Sequence, residues 1–170
     1  MDIALYHHLP SGGALLHFAN IARTLAARGH RLTLYTPQTA ERDFSSFGDV
    51  LERQHVFPRT AWKPGNSLLN PWRYRQYMES LIALEQKNAE QLLGAGHDGV
   101  FLGQCRTWTE PPLLAALRGK RPTVLYCNEP RRSFHDDRAR QAMSVWPRWK
   151  KIWRLPTVRW MQEQMHRHIL

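Results

Sequence analysis

Asp2-Ile3-Ala4-Leu5-Tyr6-His7, followed by Pro10-Ser11-Gly12-Gly13 and then the run from Ala14 to Arg28, is the stretch that decides the fold. The first six residues are apolar enough to read as a buried opening strand. The Pro-Ser-Gly-Gly sequence turns the chain. Leu15, Phe18, Ala22, Leu25 and Ala26 then recur at helical spacing, and Gly29 stands where a helix stops. A buried strand running straight into a helix is half of a parallel crossover unit.

The pattern repeats outward from there. Arg31 to Thr36 reads as a second strand ended by Pro37, and Asp49 to Phe57 as a weaker third. A loop over 58–69 leads to Asn70-Pro71, an N-cap and first-turn proline. The helix after it carries Tyr74, Tyr77, Met78, Leu81, Leu84 and Leu92 on one broad face, up to Gly94. Gly99 to Gly103 is a fourth strand. Thr109-Glu110-Pro111-Pro112 opens a short helix through Leu117, and Thr123 to Cys127 is a fifth strand. Short apolar strands joined by helices predict an α/β fold: a three-layer α/β/α Rossmann-like domain. Its core is a parallel five-stranded sheet in the order 3-2-1-4-5.

The 170 residues suit one domain. Two cysteines exclude a disulfide scaffold, and no CxxC pair suggests zinc or redox chemistry. No stretch is long and apolar enough to span a bilayer, and an acid at position 2 is unlike a signal peptide. These features predict a cytoplasmic, reduced protein without a bound metal or cofactor. The net charge of +10 is uneven: residues 131–170 hold ten basic and three acidic side chains. An anionic partner is therefore expected for that segment and not for the whole domain.

In a doubly wound sheet, ligands bind beyond the carboxyl ends of the strands, at the switch between the first and fourth. That edge would gather His7, His8, Gly12 and Gly13 from the first loop and Gln104, Cys105 and Arg106 from the fourth strand. Asn128, Glu129, Arg131 and Arg132 would come from the fifth. The amides at Gly12-Gly13 can face an anion at a helix start, or simply make a tight turn. Of two adjacent strand histidines at most one faces a cleft. Such an imidazole can move a proton or serve as a structural hydrogen-bonding group. Cys105 and Cys127 end neighbouring strands and are expected as free thiols, packing residues before nucleophiles, with His7 or His8 able to serve as the nearby base a nucleophile would need. Glu129 can bind sugar hydroxyls or take a proton, or pair with Arg131 or Arg132.

Taken together, the opening strand with Pro-Ser-Gly-Gly and Ala26-Ala27-Arg28-Gly29-His30 before Leu32-Thr33-Leu34-Tyr35-Thr36-Pro37 resembles the N-terminal domain of family 4 glycosyltransferases. Phe101 to Arg106 and Thr123 to Pro130 agree with it. These are retaining enzymes of GT-B architecture. The resemblance implies an acceptor-binding domain at 1–130, with residues 131–170 a basic, Trp-rich helical extension or interdomain linker. It implies that the loop at Gly12-Gly13 approaches the diphosphate of a sugar nucleotide. The loop from Cys127 to Pro130 would line the cleft, with a sugar or lipid-linked molecule as acceptor. Several relatives have histidine where this chain has Asn128, which can hydrogen-bond a sugar but cannot shuttle a proton. His8 and Glu129 remain as candidates for proton transfer. A GT-B enzyme needs about twice this length. The second, donor-binding domain is therefore expected to be absent, and the chain to be inactive without it: an excerpt, a truncated product or half of a split enzyme. The alternative is a stand-alone Rossmann-type binding module.

The basic segment carries Trp149, Lys150, Lys151, Trp153 and Arg154 close together. Tryptophan suits the membrane–water interface and basic groups suit anionic headgroups. A peripheral contact with an anionic membrane surface is one expectation, and packing of the tryptophans on the domain is the other. No nucleic-acid reading motif is present, so no specific nucleic acid is expected as a partner.

Overall fold

The structure is a computed structural model and describes residues 1–40, 47, 49–59, 61, 63, 70–105, 111–128 and 160. Strands and helices alternate along it as β1 (Asp2–His8), α1 (Gly13–Ala27), β2 (Arg31–Pro37), β3 (Arg53–Phe57) and α2 (Asn70–Gly94). They continue as β4 (Gly99–Cys105), α3 (Leu113–Leu117) and β5 (Thr123–Leu125). The sheet runs β3-β2-β1-β4-β5, and every pairing in it is parallel. This is the Rossmann-like order expected from the alternation of strand and helix signals.

Strand alternation sorts the apolar residues into two cores. Leu5, Leu32 and Leu34 meet Leu15, Phe18, Ala19 and Ala22 of α1 on one face. Ala4, Tyr6, Tyr35, Phe57, Val100 and Leu102 meet Ala89 and Leu92 of α2 and Leu113 and Leu117 of α3 on the other. Helices thus cover both faces, giving the three layers. Gly29, at φ 81°, ends α1: its N–H bonds Ala26 O at 2.8 Å and the next amide bonds Leu25 O at 3.2 Å. Gly103 fits because it lacks a side chain. A Cβ there would lie 3.0 Å from the Phe18 ring and 3.2 Å from His7 Cβ.

β1, β2 and β4 run one or two residues beyond the limits read from the sequence, and β3 and β5 are shorter than read. β3 begins at Arg53 and not at Asp49, because a turn bonding Val50 N to Phe47 O at 3.0 Å occupies the stretch before it. Four of its five residues are exposed, as suits an edge strand. β5 ends at Leu125 and not at Cys127, although the Tyr126 amide still bonds Leu102 O at 2.7 Å.

One irregularity positions the site. β1 and β4 run in register as far as Tyr6 opposite Leu102, and then His8 stands opposite Cys105. β4 spends one extra residue there, a bulge that breaks its alternation. Without it Cys105 would share the α1 face with Gly103. With it, Cys105 packs beside Met78 and Leu81 of α2.

Candidate functional site

The carboxyl edge of the sheet begins where β1 runs into α1. Gly12 precedes the helix with φ 135° and ψ −170°, a backbone that residues with side chains rarely adopt. No side chain caps the helix and no acid lies in its first turn. A Cβ on Gly12 or Gly13 would meet nothing within 4 Å. Among the described residues the helix start therefore has no side-chain cap, and the positive end of the helix dipole lies at its first amides.

The two histidines part ways. His7 is 1% exposed and points to the α1 face. Its ring stacks on Phe47 at 5.6 Å and tilts against Phe18 at 5.3 Å. Its Nδ1 accepts the Leu9 amide at 3.3 Å, so the neutral ring carries its proton on Nε2. Burial lowers its pKa to about 4. A neutral core imidazole is what this environment favours. The structure thus puts His7 among the packing residues and not, as the sequence reading had it, among the groups facing an acceptor.

His8 lies on the opposite face. Its Nδ1 is 3.2 Å from Cys105 Sγ and its Nε2 is 3.0 Å from Thr39 Oγ1, so both ring nitrogens are engaged. Beneath this chain lies a buried charged group. Arg59, just after β3, donates to Glu85 of α2 at 3.0 Å, both side chains being 2% exposed. The Tyr6 hydroxyl lies 2.7 and 2.9 Å from the two oxygens of the same carboxylate. Burial pushes the Glu85 carboxyl up, against the pull of Tyr6 and Arg59. Burial also raises the Tyr6 hydroxyl, with Glu85 and Cys105 adding to it.

Of the other expected residues, Gln104 Nε2 donates to Cys127 Sγ at 3.2 Å. The Asn128 carbonyl accepts the Tyr126 hydroxyl at 3.0 Å, which leaves the Asn128 amide hydrogens for a ligand. Both cysteines are free thiols, Cys105 buried and Cys127 exposed. Arg106, Glu129, Arg131 and Arg132 lie outside the described residues, as do Trp149, Lys150, Lys151, Trp153 and Arg154. Trp160 is described: it packs beside the Met78, Leu81 and Cys105 cluster, with Arg75 5.5 Å above its ring.

The sequence reading passed over Thr39, Arg59 and Glu85. Glu85 alone carried a signal, a carboxylate four residues beyond Leu81 and four before Ala89 on the apolar side of α2. A further polar group at the other end of the sheet was also unforeseen. There His97 bonds Tyr35 at 2.8 Å and Asp2 at 2.6 Å, beside an open cavity of about 510 Å³ that Arg31, Arg53 and His55 also line. Among the described residues no three His, Cys, Asp or Glu side chains converge as metal ligands. No helix there is long and apolar enough to cross a membrane.

Two crystal structures of the C-terminal domain of a hydrogenase from Pyrococcus furiosus are similar in fold. One has TM-score 0.51 and 15% identity, covering 73% of this chain and 89% of that one. The other has TM-score 0.53 and 14% identity, covering 74% and 90%. At such identity the likeness concerns the Rossmann-like architecture alone. The glycotransferase of kitacinnamycin also matches, with TM-score 0.42 and 18% identity over 73% of this chain and 29% of that one. No curated protein matches by sequence. The sequence pattern of Glycosyltransferase Family 4 matches residues 11–169, nearly the whole length, and the chain belongs to that family.

Proposed function

We propose that this is the acceptor-binding domain of a retaining, sugar-nucleotide-dependent glycosyltransferase of GT-B architecture. The observation that carries the reading is the start of α1. Gly12 and Gly13 leave amides without a side-chain cap at the switch point between β1 and β4, with no acid in the first turn of α1 to repel a phosphate. Those amides would meet the diphosphate of the donor. Gln104 and the free amide of Asn128 flank the same edge and suit acceptor hydroxyls. Arg106, Arg131 and Arg132 would add positive charge from the neighbouring loops, and Glu129 a carboxylate.

One helix start supplies only part of the charge stabilisation that glycosyl transfer needs. The greater part of the donor site therefore belongs to a second domain, and these 170 residues alone transfer no sugar. His8 is the histidine placed for a role at this edge, held between Thr39 and Cys105. His7 is kept for packing.

Calorimetric titration with a nucleoside diphosphate and with sugar nucleotides tests this. Weak binding is expected, lost on Gly13→Asp. That substitution meets no steric obstacle and places a favourable charge on the helix start, so the fold should hold while the anion is repelled. Equal binding by both proteins would refute the role of the glycine turn. Turnover by the chain alone would refute its dependence on another domain.

A further inference from the structure

We propose that Cys105 is a nucleophilic thiol, a site for two-electron oxidation by small hydroperoxides that stands on the α2 face at the carboxyl edge of the sheet and is distinct from sugar transfer. Three features of the site carry this. The first is the dyad itself: Cys105 Sγ is 3.2 Å from His8 Nδ1, and His8 Nε2 is 3.0 Å from the Thr39 hydroxyl. A thiol beside an imidazole whose far nitrogen is held by a third group is the arrangement of an activated nucleophile. When the thiol proton passes to Nδ1, the imidazolium keeps one N–H on the sulfur and gives the other to Thr39 Oγ1. The charge pair is thus hydrogen-bonded at both ends.

The second feature is the charge around it. Arg59 is a buried guanidinium within electrostatic reach of Cys105. Burial pushes Arg59 down, and Cys105, Tyr6 and Glu85 together hold it above its ordinary value. The influence is mutual, so the same cation favours a thiolate, against the opposing effects of the Glu85 carboxylate paired with it at 3.0 Å and of the burial of Cys105 beside Met78 and Leu81. The third feature is the bulge. Regular alternation would turn Cys105 toward α1, away from His8. The extra residue in β4 brings the two into register. Bulges serve to re-aim side chains in this way.

The chemistry balances with a hydroperoxide as oxidant. The thiolate attacks one peroxide oxygen, an S–O bond forms and the O–O bond breaks. The departing oxygen takes the Nδ1 proton of His8 and leaves as water or an alcohol. Sulfur becomes a sulfenic acid and the peroxide is reduced by the same two electrons. Cys105 is 5% exposed, so small uncharged reagents, hydrogen peroxide and iodoacetamide, are the ones used to reach it. Cys127 is exposed and accepts from Gln104 Nε2 at 3.2 Å, and it serves as the internal reference.

The test uses the full chain and needs no sugar nucleotide, so it stands or falls apart from the glycosyltransferase reading. In Cys127→Ser protein, the rate of iodoacetamide alkylation is followed against pH by intact mass, and hydrogen peroxide oxidation is followed by trapping of the sulfenic acid with a dione. Cys105 is expected to titrate below the ordinary thiol range. It should react at pH 7 about tenfold faster than Cys127 does in Cys105→Ser protein, because an ordinary thiol is only a few per cent thiolate there. His8→Gln should move the midpoint up into the ordinary range. Thr39→Val, a nearly isosteric change, should move it up by less, and serves in place of His8→Gln if that variant fails to fold. A Cys105 midpoint equal to that of Cys127, or unaltered by both substitutions, would overturn the proposal. So would a thiol that reacts only after unfolding in urea.

Discussion

The Glu85 carboxylate accepts a hydrogen bond from Arg59 at 3.0 Å and faces the Tyr6 hydroxyl at 2.7 Å, all inside the layer between the sheet and α2. One carboxylate thereby ties the end of β3 and the centre of β1 to the second helix. Each of the three groups would be costly to bury alone, and each satisfies another.

Breaking this tie should be far more harmful than breaking a surface pair. Glu85→Gln leaves the Arg59 guanidinium buried without its counter-charge and should cost about 3–5 kcal/mol. Arg59→Met with Glu85→Leu removes both charges and should recover part of that loss, less the cost of the buried Tyr6 hydroxyl left without its carboxylate. Glu79→Ala breaks the exposed pair of Arg75 and Glu79, whose side chains are 57% and 50% exposed. It should cost well under about 1 kcal/mol. Urea unfolding midpoints of the four proteins provide the comparison. Equal losses for Glu85→Gln and Glu79→Ala would contradict it.

Gly103→Ala should destabilise by about 1–3 kcal/mol, the usual range for overpacking. The added methyl would stand 3.0 Å from two Phe18 ring carbons and 3.2 Å from His7 Cβ, and neither neighbour is the loose end of a flexible chain. Phe18→Leu in the same protein should return part of the loss, since it clears the contact. Gly13→Ala is the control. It meets nothing within 4 Å and should be neutral or slightly stabilising. Thermal unfolding of the four proteins tests the ranking.

The order and direction of the strands were legible because each strand signal came bracketed by a turn and a helix, as around Gly12-Gly13 and Gly29. The edge strand was less legible, since Arg53, Gln54, His55 and Val56 are exposed and carry no alternating apolar signal. The sequence offered either His7 or His8 as a base for either cysteine, without fixing the pair. Face assignment by alternation fails at a bulge, and Gly103, the residue there that hints at one, read instead as the end of the strand. The burial of Arg59 and Glu85 was hidden because each is explicable only by the other, and they are 26 residues apart.

For the basic segment, the contact of Trp160 with α2 favours packing for that tryptophan. Membrane contact by Trp149, Lys150, Lys151, Trp153 and Arg154 remains a proposal from sequence. If it holds, the protein should co-sediment with vesicles containing anionic lipid and not with neutral ones. Binding should weaken as salt is raised and fall when Lys150, Lys151 and Arg154 are changed to Glu, at about 1 kcal/mol per charge. Trp160→Ala should instead lower stability without altering vesicle binding. Sedimentation indifferent to lipid charge would leave packing as the role of the whole segment.

His7 should make the fold sensitive to mild acid. Burial lowers its folded pKa to about 4, from about 6.5 in the unfolded chain. Between those values the unfolded state binds more protons, so the stability His7 contributes is full above pH 6.5. It declines as pH falls and is gone below about 4. The total is about 3 kcal/mol, of which about 2 kcal/mol should disappear between pH 7 and pH 5. Glu85 also titrates differently in the fold, because burial raises its carboxyl against the pull of Tyr6 and Arg59. The raw pH profile therefore mixes the two, and the His7 share is read as a difference. Urea midpoints at pH 7 and pH 5 are compared between the native chain and His7→Gln, which loses the stacking on Phe47 but has no titrating ring. The variant should be less stable at pH 7 and should narrow the gap at pH 5 by about 2 kcal/mol. Parallel losses in the two proteins would mean that His7 accepts its proton without unfolding, and that the ring lies closer to water than its packing between Phe18 and Phe47 requires.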